Sequence, residues 1–261
     1  MSRFGLFLFT RDPALAKEAT AAGIDGFVVD WERRGKRERQ AGADTEIRAD
    51  TPADLSEIRK STEARVVCRV DGPGAGCEGE IEKAIELGAD DVLLPMVRAP
   101  DEVERAREQV DGRCGLGILV ETKDAVRSAA TLGRFPLSRV YVGLNDLMID
   151  RGASSLFEPL VDGTVERIRE HFPMPFGLAG LTLPDLGHPI PCRLLIATMV
   201  RLRVDFSFLR RSFLRDVEPD SLTQAVDEIR AAIERAREAG QAAAASASAE
   251  LAAAVRVELP A

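Results

Sequence analysis

The sequence predicts a single eight-stranded (β/α)8 barrel, and three observations lead to this fold class. Short apolar runs alternate with amphipathic segments of helix length eight times along the chain. The runs are apolar throughout, which is typical of parallel strands that are buried on both faces. The 261 residues, 45% of them hydrophobic, suffice for one such domain. Eight successive strand and helix units with right-handed crossovers favour a closed barrel over an open sheet.

Turn and cap residues mark the first four units. Pro13 begins the helix after the first strand, and Thr51 precedes Pro52 as the N-cap of the second helix. A glycine-rich loop over 72–76 separates the third strand from its helix, and Gly88 ends that helix. The predicted strands are 4–10, 26–30, 65–70 and 91–95, and the predicted helices are 13–23, 52–58, 78–87 and 100–110.

The second four units continue the pattern up to Gly240. The predicted strands are 115–121, 140–143, 176–183 and 204–209, and the predicted helices are 123–132, 156–171, 190–202 and 219–239. The composition then changes to Ala and Ser, which predicts a weakly specified helix or mobile tail, or an arm that packs on another subunit. We therefore divide the chain into a catalytic barrel domain over 1–240 and an Ala-rich tail over 241–261.

Composition and charge exclude several classes of function. The net charge of −8 argues against a nucleic-acid or anionic-membrane binder, because the excess of Lys and Arg that phosphates require is missing. No apolar stretch reaches the roughly 20 residues that a spanning helix needs. The four cysteines have no CxxC spacing and are expected to be reduced and mostly buried. We expect a cytoplasmic protein that acts on small molecules.

Two carboxylates form the strongest candidate site. Glu121 ends the fifth apolar run and Asp146 follows the sixth, so both are expected at the C-terminal ends of neighbouring strands, where barrels of this class have their reactive groups. Carboxylate oxygens are the ligands that Mg²⁺ and Mn²⁺ prefer, and two of them leave positions for water and a chelating 2-oxo acid. The sequence therefore predicts a divalent-metal site with Glu121 and Asp146 as ligands.

Other polar residues follow the strands at the same end of the barrel. Arg69 follows strand three and could clamp a substrate carboxylate or stabilise a developing enolate oxygen. Asp30 and Glu32 follow strand two and would order metal-bound waters or support the ligands, while Arg11 follows strand one as a substrate-binding candidate. Arg210 and Arg211 follow strand eight, where barrels often bind phosphate. The alternative role of this pair is a salt bridge to the acidic flank of Asp216 and Glu218.

Five segments of the chain resemble a known family. They are GIDGFVVDWE (23–32), CRVDG (68–72), GADDVLLPMV (88–97), LVET (119–122) and VGLNDL (142–147). In this order they resemble the successive blocks of the HpcH/HpaI aldolase and citrate lyase β-subunit family over about residues 4–150. The resemblance implies a pyruvate/phosphoenolpyruvate-type TIM barrel that forms trimers or hexamers. It also implies a divalent metal on Glu121 and Asp146, contact of Arg69 with the enolate of a 2-oxo acid, and aldol or Claisen-type carbon–carbon cleavage or formation. Gly143, Leu144 and Asn145 belong to the last segment and are further substrate-binding candidates.

The second strand departs from the aldolase branch of this family. That branch has an acid/base histidine where this chain has Arg33. His188, in the loop after strand seven, is the candidate replacement on the functional rim. A Schiff-base mechanism would need a lysine inside the barrel, and no lysine of the sequence is expected there. Two alternatives to a metal-dependent aldolase stay open: a lyase of CoA thioesters, and a barrel that has lost lyase activity and acts as a binding subunit.

Overall fold

Eight parallel strands close into a barrel. The computed structural model describes residues 3–35, 50–210, 212–218 and 220–258. The strands are β1 (Gly5–Phe9), β2 (Gly26–Asp30), β3 (Arg65–Arg69), β4 (Asp91–Leu94), β5 (Gly115–Val120), β6 (Arg139–Val142), β7 (Phe176–Leu181) and β8 (Phe206–Leu209). Each strand pairs in parallel with its neighbours in chain order, and β1 pairs with β8. The predicted (β/α)8 barrel is confirmed.

Helices surround this barrel. They are α1 (Pro13–Ala21), α2 (Pro52–Ser61), α3 (Cys77–Glu86), α4 (Pro100–Val110), α5 (Lys123–Arg127), α6 (Ala129–Leu132), α7 (Leu144–Arg151), α8 (Thr164–Arg169), α9 (Cys192–Arg201), α10 (Phe213–Asp216), α11 (Leu222–Glu238) and α12 (Gly240–Glu258). Among the described residues, none of these helices combines the length and the apolar composition that crossing a bilayer requires.

The helices after β5 and β6 differ from the prediction. The helix expected over 123–132 is interrupted at Ser128, and the helix expected over 156–171 is reduced to a 3-10 turn at Glu158–Leu160 and the short α8. The unpredicted helix α7 begins directly after Gly143 and ends at Gly152, which adopts φ +66°. Asp146 therefore lies in the first turn of a helix and not at the tip of a strand.

Alternating residues of the strands fill the barrel interior. The residues that pack together there are Phe7, Val28, Val67, Leu93, Leu119, Tyr141, Phe206 and Phe208. The intervening strand residues point outward and pack under the helices in a second, larger apolar cluster. Aromatic rings dominate the interior, with the rings of Tyr141 and Phe208 stacked at 4.0 Å. The barrel is therefore a packed core and not a pore.

A buried ion cluster lies at the N-terminal end of the barrel, opposite the candidate site. Asp91 is fully buried at the start of β4 and accepts hydrogen bonds from Arg65 at 2.8 Å and Arg139 at 3.0 Å. The guanidinium of Arg139 also lies over the rings of Phe7 and Phe206 at 4.9 and 5.3 Å. Loss of one partner from this cluster should destabilise the fold, because an unpaired buried charge is costly.

The Ala-rich segment is a helix that packs on its own barrel. Leu251 and Val255 of α12 are buried, and α12 packs against α9. Arg193 of α9 forms an ion pair with Glu250. Residues 259–261 of the predicted tail lie outside the described residues.

Candidate active site

The strand alternation that fills the interior also builds the site. The residue two positions after an interior side chain points the same way, one level closer to the C-terminal mouth of the barrel. Six residues occupy this level, each two positions after an interior residue of its strand. They are Phe9 after Phe7, Asp30 after Val28, Arg69 after Val67, Glu121 after Leu119, Gly143 after Tyr141 and Arg210 after Phe208. The mouth thus collects groups from β1, β2, β3, β5, β6 and β8.

Arg69 is held by two acids. Its Nε and Nη2 donate to the two oxygens of Asp30 at 2.8 and 2.6 Å, and its Nη1 lies 3.5 Å from Glu32 Oε2. Burial alone would lower the pKa of Arg69, but the charges of Asp30 and Glu32 raise it above its usual value. The guanidinium lies 5.2 Å from the ring centre of Phe9. Arg69 is therefore a fixed, permanent cation at the floor of the mouth.

Glu121 directly follows β5 and is 3% exposed. Its Oε1 accepts the backbone N–H of Met96 at 2.8 Å, which Met96 presents from a backbone with φ +54°. A Cβ at Gly143 would lie only 2.3 Å from Glu121 Oε2. The carboxylate is therefore positioned on one side by a strained backbone and on the other by a residue that has no side chain.

The electrostatics of Glu121 show an excess of acid. The pKa of Glu121 is raised to about 8, chiefly by burial and in addition by the charges of Asp146 and Glu32. The Met96 N–H and the charge of Arg69 act in the opposite direction but are weaker causes. The described protein groups therefore supply too little positive charge for Glu121 to ionise easily.

The first turn of α7 borders Glu121. Asp146 lies there, close enough to act on the Glu121 charge, and Asn145 precedes it. The Nδ2 of Asn145 is buried and has no hydrogen-bond partner. Leu144 is buried among the outer apolar residues, so it can offer only its backbone to a ligand. An unpaired Asn145 amide beside the N-terminal turn of a helix is suited to an anion.

The remaining predicted residues lie apart from this group. Arg11 is exposed after β1, and His188 is exposed in the loop between β7 and α9. The side chain of Arg33 is also exposed, while its backbone N–H donates to Asp71 at 2.6 Å. Lys123 is exposed at the start of α5. Within the described residues, no imidazole or lysine amine contacts Arg69 or Glu121.

Three contributors to the site were not predicted from the sequence: Phe9 and Tyr141 form its aromatic floor, and Met96 supplies a backbone donor. Gly143, predicted as a substrate-binding residue, leaves room for the Glu121 carboxylate. The alternation of each strand was the signal that could have identified Phe9. The positive φ of Met96 has no counterpart in the sequence, because methionine rarely adopts it.

The chemistry of the donor set decides whether a divalent metal fits. No group of three or more His, Cys, Asp and Glu residues in the described parts of the chain converges to hold an ion. Glu121 and Asp146 supply hard oxygen donors, and the raised pKa of Glu121 reflects a lack of nearby cation. The two acids thus fit Mg²⁺ or Mn²⁺ only as part of a shell that water and substrate complete.

The fold and this mouth define a (β/α)8-barrel protein with one polar centre at the C-terminal ends of its strands. Residues 3–158 match the family model described as HpcH/HpaI aldolase/citrate lyase. The chain belongs to this family, and the membership supports a lyase activity. A comparison with curated protein sequences gives no match.

Solved structures with the same fold include members of this family. A citrate synthase, SbnG, has 17% identity and a TM-score of 0.61, and the match covers 82% of this chain and 89% of that one. An HpcH/HpaI aldolase from Desulfitobacterium hafniense has 13% identity, a TM-score of 0.61 and the same two coverages. An HpcH/HpaI aldolase/citrate lyase family protein from Burkholderia cenocepacia has 14% identity and a TM-score of 0.64, covering 87% of this chain and 95% of that one. At these identities the similarity shows the fold alone.

Proposed function

We propose that the protein is a divalent-metal-dependent carbon–carbon lyase of the aldolase type, which acts through the enolate of a pyruvate-like 2-oxo acid. The observation that supports this most directly is the grouping of Glu121 and Asp146 with a fixed Arg69, whose charge acts on Glu121. In such a reaction the bond between C3 and C4 of a 4-hydroxy-2-oxo acid breaks. Its electron pair stays on C3 and delocalises into the C2 carbonyl, while the 4-hydroxyl loses its proton and becomes a carbonyl.

The proposed ligands of the metal are Glu121 and Asp146. When bound there, Mg²⁺ or Mn²⁺ would supply positive charge to polarise the 2-oxo group and the adjacent carboxylate. Asp30 and Glu32 hold Arg69 in place and would order water at this centre. The acid excess around Glu121 supports this assignment, because a dication offsets the repulsion that raises the pKa of Glu121.

Arg69 stabilises the negative charge that develops on the enolate oxygen. Its bidentate bond to Asp30 fixes the guanidinium before substrate arrives, so little reorganisation is needed during the reaction. The substrate carboxylate would lie against the first turn of α7, where the Leu144 and Asn145 N–H groups and the orphaned Asn145 amide are available. Arg11 is exposed and would contact only a substrate that extends to the rim.

Proton transfer is the step that this chain performs differently from the aldolase branch it resembles. Arg33 stands in place of the histidine, and its exposed side chain cannot accept a proton at neutral pH. His188 is the titratable group that we propose for acid/base work, on the loop after β7. A His188→Asn variant with the wild-type dependence of rate on pH would exclude it.

Exchange of the methyl protons of pyruvate tests the proposal. We expect wild-type protein with Mg²⁺ or Mn²⁺ in D₂O to replace these protons with deuterium, observed by proton NMR. Glu121→Gln and Asp146→Asn should lower the exchange rate on the order of 10²-fold or more, because the metal is lost. Glu82→Gln is the matched control, since Glu82 pairs with Arg113 on the outer surface. No exchange by wild type would favour the non-catalytic alternative, and exchange of the α-protons of an acyl-CoA in place of those of pyruvate would favour the CoA-thioester alternative. A trimer or hexamer stays a prediction of the family resemblance.

A further inference from the structure

Arg210 lies on the opposite side of the mouth from the proposed enolate site. It follows β8, where Phe206 and Phe208 point into the barrel and Leu209 points outward, so the alternation directs Arg210 into the mouth. In the closed barrel β8 is diametrically opposite β4, and the strands of Arg69 and Glu121 flank β4. A substrate that is held by those two residues and extends across the mouth therefore approaches Arg210.

The guanidinium of Arg210 is held by the irregular end of β7. Its Nε donates to the carbonyl of Gly180 at 3.2 Å. The pairing of β7 with β8 shifts register between Gly177 and Gly180, and Ala179 adopts φ +49° within this shift. The loop after β7 also approaches, since a Cβ at Gly187 would lie 3.1 Å from Arg210 Nη1. Bulges of this kind often re-aim groups next to active sites.

No acid in the described parts of the chain pairs with this arginine. The side chain of Arg210 is partly buried, yet no carboxylate of the described residues lies within 4.0 Å of it. Arg210 does not form the salt bridge to Asp216 considered from the sequence, because Asp216 accepts the hydroxyls of Thr182 and Ser212 instead. Glu218 is exposed, and Arg211 lies outside the described residues. Arg210 thus keeps most of its donors for a ligand, and a guanidinium binds carboxylate and phosphate with two parallel hydrogen bonds.

The charge of Arg210 acts on the same aromatic floor as the charges of the enolate site. Burial raises the pKa of the Tyr141 hydroxyl, and the charges of Arg69, Glu121 and Arg210 all act on this one group. Tyr141 belongs to the aromatic floor and donates its hydroxyl to the carbonyl of Ala179, beside the β7 irregularity. On this floor the ring of Phe208 contacts those of Phe9 and Tyr141, and Arg69 lies over Phe9. Arg210 follows Phe208 by two residues at the other end of this row of rings.

We infer that Arg210 binds an anionic group, a carboxylate or a phosphate, on the carbonyl compound that the lyase releases or condenses with pyruvate. The inference rests on the proposed function and names the substrate class of the second half of the reaction. Arg69 and the metal hold the enolate half, and Arg210 selects an electrophile that has its own negative charge. Neutral aldehydes lack the group that would displace water from Arg210, so they should react less efficiently.

Paired electrophiles test the inference. Condensation with pyruvate is followed for glyoxylate against acetaldehyde, and for glyceraldehyde 3-phosphate against glyceraldehyde. For wild type we expect a higher kcat/KM with the anionic member of at least one pair. Arg210→Gln should reduce that preference about 30-fold or more, because loss of one partner of a desolvated charge pair is costly. Arg210→Lys should retain part of the preference, since the charge remains without the bidentate geometry.

The two pairs distinguish the source of the anion, because the pair with the larger Arg210-dependent preference identifies carboxylate or phosphate. Arg134→Gln is the matched control, since it removes an exposed arginine before β6, at the other end of the barrel. The preference should survive in this control. Equal losses for anionic and neutral electrophiles in Arg210→Gln, or an unchanged preference, would overturn the inference while the proposed function stands. Absence of pyruvate proton exchange in wild type would instead overturn the proposed function and the inference with it.

Discussion

Replacement of Gly143 by alanine isolates the contact that positions Glu121. Gly143 has φ −84° and ψ 93°, which alanine adopts without strain, so the effect of the substitution comes from the added methyl group. That methyl carbon would lie 2.3 Å from Glu121 Oε2 and 2.9 Å from Glu121 Cβ. Ordinary contact begins at 3.4 Å, so the carboxylate oxygen must move by about 1 Å.

A displacement of this size should affect catalysis far more than folding. Misplacement of a catalytic group by about 1 Å can cost on the order of 10² in rate. We expect Gly143→Ala to exchange pyruvate protons about 10²-fold more slowly and to bind Mn²⁺ at least about tenfold more weakly. NMR exchange in D₂O and titration calorimetry with Mn²⁺ measure the two effects.

Gly79→Ala is the matched control for this prediction. Gly79 lies within α3, and a Cβ there meets no atom within 4 Å. The control should keep wild-type exchange and gain about 0.5–1 kcal/mol of stability, because alanine is the better helix former. Wild-type exchange and Mn²⁺ affinity in Gly143→Ala would refute the placement of Glu121 at the reacting centre.

Three further substitutions test the charges of the barrel. In metal-free protein the pKa of Glu121 is raised to about 8 from 4.5. The free energy of unfolding is therefore highest below pH 4.5, where Glu121 is neutral in both states, and declines as the pH rises towards 8. Glu121→Gln should therefore gain stability over wild type with rising pH, by at most ~1.4 kcal/mol for each pH unit, and a constant difference in urea unfolding would contradict this. Asp91→Ala should cost about 3–5 kcal/mol in the same assay, because Arg139 loses its buried partner; a cost below about 1 kcal/mol would show that the cluster contributes little. Arg69→Lys cannot reproduce the bidentate bond to Asp30 and should slow pyruvate exchange by about 10²–10³-fold, whereas a wild-type rate would remove Arg69 from the enolate site.

The barrel was predictable because its signal is repeated eight times. Continuous apolar runs identify strands that are buried on both faces, and chain order alone arranges them when every crossover is right-handed. Glu121 follows from this reasoning, since it ends an apolar run directly and lies directly after β5. The alternation within strands also places Arg69 and Asp30 in the mouth, where their bidentate pairing is found.

The region around Asp146 was less predictable for a physical reason. Helix α7 begins immediately after Gly143, with no connecting loop, so its first turn reads as a continuation of the β6 segment. The backbone of Met96 and the register shift at Gly177–Gly180 are local conformations that tertiary packing imposes, and the residue types do not specify them. The ion pairing of Arg210 could not be predicted from the sequence either. Its acidic neighbour in sequence, Asp216, is engaged by two hydroxyls in the fold.

Binding of oxalate tests the central proposal most directly, because this planar dianion resembles the enolate of pyruvate in shape and charge. Titration calorimetry of wild type with oxalate should detect binding in the presence of Mn²⁺ and little or none without it. The Mn²⁺-dependent binding should be lost in Asp146→Asn and strongly weakened in Arg69→Lys. Oxalate affinity that is independent of Mn²⁺, or that survives both substitutions, would contradict a metal-assisted enolate site formed by Glu121, Asp146 and Arg69.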